Sequence, residues 1–458
     1  MISLNYFKYL IKSKLALILV VILSTFLFTL NSSDEINYVL IIYTFFLSFI
    51  LPFIFLSFIS NHKAIDTYYS LPISRNKLLF TNIITMILTL FVSYTVGFIT
   101  YIIRSDETFN LIYLLVVLLC IILMIVYNSL LYLLGNKRID SIILTGAYTV
   151  LPFALLAVCQ GFASTYIAGI GYGSGVFDFF YYLSPIGLTI ETLFRNINYI
   201  ELIDVVFIFI HLAIYLPLLI HSFNYRNTER VNSITDHKLG YKLIIPLYAT
   251  LTVLLRCSMY TYDTNISSFL IDSLVSFIAI LLLVISANFI YKRKFTISIK
   301  DISVYMVIIL LSLGITCLFR DTNGFNIAYS IDVNENSTYL LEIYDCDNKE
   351  IINYLSEETG KDISEYNITI KENSNAEDII EIRNNMIKDF YEPGEEKDCY
   401  SYLTINTDNK VFEYSSNNNY LTLDSLLTIA NHSTINITIF DDHESFEYVI
   451  VNNKLIEN

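Results

Sequence analysis

Side chains that could carry out catalysis or bind a metal are few in this chain and lie far apart. Its six histidines form no H-E-x-x-H zinc motif, and no G-x-x-x-x-G-K-[ST] phosphate loop occurs. The glycine-rich stretch 169–175 lacks the Lys-Ser/Thr pair of such a loop and predicts a turn-rich connection. Asp441–Glu444 could attract a cation, but alternating apolar residues on both sides of it predict a hairpin turn. We therefore expect no catalytic residue, no metal site and no bound cofactor on this chain.

The composition divides the chain into an apolar part and an acidic part. Apolar residues make up 55% of the chain, charged residues make up 16%, and the mean hydropathy is +0.56. These values are too apolar for an ordinary soluble protein. Residues 1–320 hold 20 Lys+Arg and 15 Asp+Glu, a net charge of +5, whereas residues 321–458 hold 8 and 28, a net charge of −20. The first part is typical of a membrane domain, and the second is typical of a domain in water. Nucleic acid is not among the expected partners.

Nine apolar stretches near the length of a bilayer-spanning helix, about 20 residues, predict transmembrane segments. They cover residues 15–30, 37–60, 79–103, 110–134, 141–163, 203–222, 242–257, 267–291 and 302–319. A further apolar stretch between Gly161 and Asn196 is broken by glycines and Pro185, and it predicts a short pair of re-entrant or interfacial helices. The predicted fold class is mostly α, a polytopic α-helical membrane protein with about nine transmembrane helices and a small C-terminal α+β extracytoplasmic domain.

The basic residues predict how these segments are oriented. If the N-terminus is cytoplasmic, 16 of the 20 Lys and Arg residues in 1–320 fall on the cytoplasmic side. Nine spans then place residues 321–458 outside the cell membrane. The stretch 6–14 precedes the first span, and we expect it to form an amphipathic helix at the inner membrane surface.

Segment 61–78, between the second and third spans, has the pattern of a short surface helix followed by a stop. Pro72 disfavours helical backbone at Leu71. Ser74 can cap the helix that becomes the third span, and Arg75 and Lys77 lie at the cytoplasmic end of that span. Such a helix would offer a rigid handle on the membrane domain.

The decapeptide Tyr69-Ser-Leu-Pro-Ile-Ser-Arg-Asn-Lys-Leu78 resembles the first cytoplasmic loop of type-two ABC transporter permeases. Two weaker similarities accompany it. Arg226-Asn-Thr-Glu229, after the sixth span, is similar to the Arg-x-x-Glu element of many of these permeases, and Leu183-Ser-Pro185 is similar to their external Ser-Pro. The resemblance covers roughly residues 1–230, and it is strongest to permeases of Gram-positive bacteria with extra spans and an external domain.

The resemblance implies three regions. Residues 1–230 would be a six-span permease core with the N-terminal amphipathic helix and the coupling loop 61–78. Residues 231–320 would add three transmembrane helices, and residues 321–458 would form the acidic α+β domain outside the cell.

The resemblance also implies partners and residue roles. The coupling loop would dock on a separate ATP-binding subunit, present in two copies, which would bind ATP and Mg²⁺ and carry the ATPase activity. A second copy of this chain or a sister permease would complete the membrane part, in contact with membrane lipid. The coupling residues implied are Asp66, Tyr69, Leu71, Arg75 and Lys77. For Arg75 and Lys77 the alternative is an ordinary role as positively charged anchors on the inner side.

The expected function is export, or removal from the membrane, of a hydrophobic or cationic compound such as a peptide, an antibiotic or a lipid. Two alternatives stay open. One is a sensor or scaffold that does not transport and whose external domain binds a ligand. The other is a membrane-embedded enzyme that acts on lipids or cell-wall precursors.

The spacing of apolar residues in the acidic part predicts an α+β domain. The predicted strands are 337–344, 366–370, 399–406, 410–415, 434–440 and 446–452, and the predicted helices are 349–357, 376–390 and 421–430. The charge of −20 would attract cationic ligands such as basic peptides, or it would simply keep the surface solvated. Cys346 and Cys399 could form a disulfide in an external domain, and their pairing is left open.

Overall fold

A computed structural model describes most of the chain. The described residues are 3–31, 36–105, 111–171, 175–194, 202–226, 231, 233, 239–257, 275, 278–282, 284–286, 289, 299–330, 338–346, 348–361, 363, 365–372, 377–391, 400–407, 410–416, 423–430, 435–441, 444–451 and 454–457. The chain forms two compact units. The first consists of Met1–Leu155, Asp178–Ala249 and Leu282–Asp301, and the second consists of Leu156–Phe177, Thr250–Leu281 and Ile302–Asn458.

Helices make up the described part of the first unit. In chain order they are α1 (Leu4–Asn31), α2 (Ile36–Phe55), α3 (His62–Tyr69), α4 (Arg75–Ser105), α5 (Leu111–Leu134), α6 (Arg138–Tyr166), α7 (Phe179–Leu183), α8 (Pro185–Phe194), α9 (Leu202–Asn224) and α10 (Tyr241–Cys257). The last residues of α6 and α10 belong to the second unit. Helices α7 and α8 confirm the short helix pair predicted between residues 161 and 196.

Five helices in the described part of the chain are long and apolar enough to cross a membrane, namely α1, α4, α5, α6 and α9. They fit a membrane protein, as the composition predicts. The count of nine spans stays a prediction. The predicted span 267–291 lies largely outside the described residues.

Helices α1 and α2 have different limits from the predicted spans 15–30 and 37–60. Helix α1 runs without interruption from Leu4, so it includes both the stretch 6–14 and the predicted span 15–30. Helix α2 ends at Phe55, and a 3-10 turn follows over Ser57–Ser60. Pro52 inside α2 lacks the N–H of a helical hydrogen bond, which favours an early end to the helix.

The helices of the first unit share one buried core. Helix α1 packs along α4, α5 packs along α9, and α2 packs on both α4 and α5. Tyr94, Tyr113 and Leu51 are fully buried in this core. Large apolar side chains such as Leu23 and Phe209 are exposed on other faces of the same helices. Helices that are apolar on all sides are typical of membrane spans.

A seven-stranded antiparallel sheet dominates the second unit. Its strands are β1 (Thr338–Cys346), β2 (Glu365–Glu372), β3 (Tyr400–Thr407), β4 (Lys410–Ser416), β5 (Ile435–Asp441), β6 (Glu444–Val451) and β7 (Lys454–Glu457), in the order β4-β3-β1-β2-β5-β6-β7. The helices are α11 (Ile299–Asp321), α12 (Lys349–Thr359), α13 (Glu377–Tyr391) and α14 (Leu423–Ala430).

Alternation along the strands gives the sheet one apolar face and one polar face. Buried residues such as Leu341, Ile368 and Ile437 form a single core with residues of α12, α13 and α14. The predicted strands and helices of this region are confirmed to within two residues at each end, and β7 was not predicted. Asp441 pairs with Glu444, which confirms the hairpin. Cys399 lies outside the described residues, so its pairing with Cys346 stays open.

Candidate functional site

Segment 61–78 begins with a capped helix. The backbone of Asn61 is extended, and its side-chain oxygen accepts a hydrogen bond from the Lys63 N–H at 3.1 Å. This bond satisfies one of the free N–H groups at the start of α3. The helix ends at Tyr69, and the Ser70 N–H donates to the Asp66 carbonyl at 3.0 Å. The segment therefore contains two turns of helix fixed at both ends.

A tight turn connects α3 to α4. The Ile73 N–H donates to the Leu71 carbonyl at 2.7 Å, on either side of Pro72. Helix α4 begins at once after Ser74, whose carbonyl accepts the Leu78 N–H at 3.0 Å. The stop at Pro72 and the new start after Ser74 are as the sequence predicts.

Apolar side chains hold the segment on the first unit, and polar ones are left outside. Ile65 and Leu78 are buried in the core, and Tyr68 packs on Phe58 with ring centroids 4.4 Å apart. The remaining surface is open to a partner. Its exposed residues are Asn61, His62, Lys63, Asp66, Thr67, Ser70, Pro72, Ser74, Arg75, Asn76 and Lys77.

Arg75 joins the start of α4 to the end of α9. Its Nη1 donates to the Asn224 carbonyl at 2.8 Å and to the Arg226 carbonyl at 3.5 Å. Its guanidinium carbon lies 4.3 Å from the centroid of the Tyr69 ring, a cation–π contact. The carbonyls at a helix C-terminus lack helical partners and favour a positive charge. Arg75 therefore connects α3, α4 and α9.

Arg226 makes a second connection, to the end of α5. Its Nη1 donates to the Leu133 carbonyl at 2.6 Å and its Nη2 to the Gly135 carbonyl at 2.8 Å. The side chain is only 7% exposed. A side chain at Gly135 would collide with the backbone of Ser141, because a Cβ there would lie 2.4 Å from the Ser141 nitrogen. A glycine at position 135 therefore allows the turn after α5, whose carbonyl Arg226 reaches, to pack closely on Ser141.

The charges of Arg75 and Arg226 act on the pKa of Tyr69, and Tyr69 acts on the pKa of Arg226. Burial raises the pKa of Tyr69, and the nearby charges of Arg75 and Arg226 oppose that rise. Burial lowers the pKa of Arg226, and Tyr69 and Tyr132 oppose the fall. The Tyr69 hydroxyl is buried and has no hydrogen-bond partner within the described part of the chain. Tyr69 thus stays neutral and serves as a ring surface between the arginines.

The N-terminal end of α1 supports the segment from another side. Tyr6 packs edge-on against Tyr68 at 6.3 Å, and Asn82 Nδ2 donates to the Tyr6 hydroxyl at 3.3 Å. An open groove of about 490 Å³ lies here, and its lining includes Tyr6, Tyr68, Leu71 and Pro72. The groove is large enough for apolar side chains of another protein.

The five residues implied by the resemblance have different surroundings. Tyr69 and Arg75 are in contact with each other. Leu71 lines the groove and is partly buried, whereas Asp66 and Lys77 are exposed. Their role in coupling stays a prediction.

Sequence reasoning did not identify the buried contacts of Arg226 or the packing of Tyr6 on the segment. The sequence indicates Arg226 as part of the Arg-x-x-Glu element and as one of the basic residues on the cytoplasmic side, and it indicates Tyr6 as the start of an amphipathic stretch. Both contacts join residues far apart in the chain, and a single sequence gives no signal for them.

The arrangement presents exposed polar side chains beside an open groove, which is a surface suited to binding. No group of three His, Cys, Asp or Glu side chains that could hold a metal ion occurs among the described residues. Comparison with protein-family models, with curated proteins and with solved structures found no match to this chain. The five apolar helices thus fit a membrane protein, and the resemblance to ABC permeases depends on the quoted residues alone.

Proposed function

We propose that this chain is the membrane-spanning permease subunit of an ABC transporter. In this proposal nine spans place the N-terminus and segment 61–78 in the cytoplasm and residues 321–458 outside. Two copies of an ATP-binding subunit, and a second copy of this chain or a sister permease, complete the transporter. It exports, or removes from the membrane, a hydrophobic or cationic compound. The observation that supports the proposal is a capped surface helix whose Tyr69 ring lies on Arg75, while Arg75 and Arg226 are hydrogen bonded to the ends of α9 and α5.

The contacts suggest how motion of α3 would reach the membrane helices. Tyr69 at the end of α3 lies against the Arg75 guanidinium, and Arg75 is bonded to the Asn224 carbonyl of α9. Arg226, two residues after α9, is bonded to the Leu133 carbonyl of α5. A push on α3 would therefore displace α4, α9 and α5 together. ATP and Mg²⁺ act on the partner subunit, and this chain takes part in no chemical step.

The docking surface for the ATP-binding subunit would be the exposed face of α3 with the adjoining groove. Asp66 is exposed on α3, and Leu71 lines the groove. Neither side chain takes part in the arginine hydrogen bonds. Replacing these two residues therefore tests docking and leaves the arginine hydrogen bonds in place.

The experiment is co-purification of the chain with the ATP-binding subunit encoded next to it, followed by an ATPase assay. We expect the double variant Asp66→Arg with Leu71→Asp to lose association about tenfold or more, since loss of a central contact costs about 2 kcal/mol or more. The matched control is Arg138→Glu, an exposed reversal of charge at the start of α6.

Two outcomes would contradict the proposal. Undiminished association of the double variant would show that segment 61–78 is not the docking surface. Failure of the unmodified chain to bind the ATP-binding subunit would favour the sensor or scaffold alternative.

A further inference from the structure

The glycine-rich segment after α6 adds to the sheet of the second unit. Strand β4 is an edge strand, and its Glu413 N–H donates to the Gly169 carbonyl at 3.1 Å. Ile167 and Ile170, on either side of Gly169, are buried in the core of this unit. Gly169 has a φ of +82°, and a Cβ there would lie 2.5 Å from the Tyr414 ring. Only glycine allows the backbone to cross this ring so closely.

A cavity of about 450 Å³ lies along this edge of the sheet. Three successive residues of β4, Glu413, Tyr414 and Ser415, all line it. Successive strand residues face opposite sides of a sheet, so a cavity lined by all three must follow the strand edge. Met386 and Phe390 of α13 give it an apolar wall. The volume is in the range of pockets that hold small ligands or single peptide side chains.

Two carboxylates lie on the polar face of the sheet beside the cavity. Glu342 of β1 pairs with Tyr402 of β3, and Thr404 of β3 pairs with Glu413 of β4. Glu342 and Glu413 are therefore two strands and two residues apart, or about 12 Å between their Cα atoms. Tyr402 lies between them and is 45% exposed. Two carboxylates with an aromatic ring between them attract an ammonium or guanidinium group.

The surroundings of these carboxylates leave room for a cation. The Tyr344 side chain is hydrogen bonded to Glu342, and the Glu413 carboxylate lies beside Gly171. The charge of Arg383 acts on Tyr414, and Arg383 is 7% exposed and donates to the Asn384 side-chain oxygen at 3.1 Å. Arg383 does not line the cavity. A bound cation would therefore lie at the Glu342–Glu413 side and away from Tyr414.

Tyr414 supplies an independent sign of a ligand. Its side chain is 4% exposed and lines the cavity, yet its hydroxyl has no hydrogen-bond partner within the described residues. Burial raises the pKa of Tyr414 to about 12, so the hydroxyl keeps its proton at neutral pH. An unsatisfied buried hydroxyl costs free energy that a polar group of a ligand would recover.

We propose that this edge cavity binds a basic amphipathic peptide. One Lys or Arg side chain of the peptide lies on Tyr402 between Glu342 and Glu413, an apolar neighbour packs on Met386 and Phe390, and a backbone carbonyl accepts the Tyr414 hydroxyl. A peptide combines a cationic side chain, an apolar side chain and a backbone carbonyl, which match the three parts of the cavity. A simple polyamine offers only the positive charge. The proposal goes beyond the transporter assignment and holds whether or not an ATP-binding subunit associates.

The test uses the full-length chain in detergent and a dansyl-labelled peptide of alternating Lys and Leu, followed by fluorescence anisotropy. We expect Glu342→Gln with Glu413→Gln to weaken binding about tenfold or more, because hydrogen bonds between charged groups are stronger than those to a neutral amide. The matched control is Glu365→Gln with Glu447→Gln. These exposed glutamates of β2 and β6 share the polar face and do not line the cavity.

The outcomes separate a specific site from a general acidic surface. Tenfold weaker binding with an unaffected control supports the proposal. Equal weakening in the control pair, or none in the cavity pair, overturns it. In competition with the labelled peptide, spermidine should be weaker than the unlabelled peptide. Equal displacement by spermidine would overturn the peptide assignment. A Tyr414→Phe variant that keeps full affinity would also overturn the proposal, because the Tyr414 hydroxyl is part of the proposed contact.

Discussion

Replacement of Arg226 by methionine tests whether the arginine holds the end of α5. Methionine keeps most of the apolar volume and removes the donors to the Leu133 and Gly135 carbonyls, at 2.6 and 2.8 Å. Each buried carbonyl left without a donor costs about 1–3 kcal/mol. Part of this loss is recovered, because the guanidinium no longer has to be taken out of water. We expect a net loss of about 2–4 kcal/mol in the stability of the first unit.

A lysine at position 226 tests whether the forked shape of the arginine side chain matters as well as its charge. Its ammonium is a point charge and lacks the planar fork with which arginine reaches two carbonyls at once. We expect Arg226→Lys to lose about half as much stability as Arg226→Met, or about 1–2 kcal/mol. An exposed arginine at the start of α6 provides the control, and Arg138→Met should stay within about 0.5 kcal/mol of the unmodified chain.

Thermal unfolding of the purified chain can be followed with a thiol-reactive dye. Cys120 is buried in the first unit and Cys257 in the second, so both thiols react mainly after unfolding. We expect the midpoint temperature of unfolding to be lowest for Arg226→Met, intermediate for Arg226→Lys and unchanged for Arg138→Met. An Arg226→Met variant as stable as the unmodified chain would refute the reasoning, because desolvation of the guanidinium would then outweigh its two hydrogen bonds.

Two further predictions concern the second unit. Gly169→Ala should destabilise it by about 2 kcal/mol or more, because alanine disfavours the left-handed backbone there and its Cβ would collide with Tyr414. Gly360→Ala is the control, since Gly360 is also left-handed, with φ +70°, but has open space around its Cβ. Equal losses of stability for the two variants in the dye assay would rule out the collision. Because the pKa of Tyr414 is raised by burial to about 12, its contribution to stability is complete below pH 10 and is lost as the pH rises towards 12. Tyr414→Phe should therefore reduce the loss of stability between pH 10 and 12, and parallel curves for the two proteins would contradict this expectation.

The sequence predicts local elements in this chain well because their signals are local. Alternating apolar residues such as Ile435, Ile437 and Ile439 face one side of a strand, and all three are buried. The stop at Pro72 acts on adjacent residues in the same way. By contrast, the strand order and the pairing of Gly169 with Glu413 depend on contacts between distant parts of the chain.

The candidate site was predicted only in outline for the same reason. The sequence indicated a short helix, a turn and two basic residues, and these lie as expected in segment 61–78. It gave Arg75 and Lys77 the same role, although only the Arg75 guanidinium is bonded to α9. It also did not indicate that Arg226 is buried, since arginine is rarely buried unless its charge is satisfied.

The position of Arg75 helps to decide between a membrane anchor and a transmitting contact. An anchor needs only a positive charge that reaches the lipid headgroups, and lysine serves as well as arginine. Arg75 instead lies on the Tyr69 ring and donates to the end of α9, so its geometry is used within the protein. Lys77, two residues later, is exposed and free to act as the anchor. We therefore expect separate tasks for the two basic residues, and the contact made by Arg75 favours the proposal that force on α3 reaches the membrane helices through this segment.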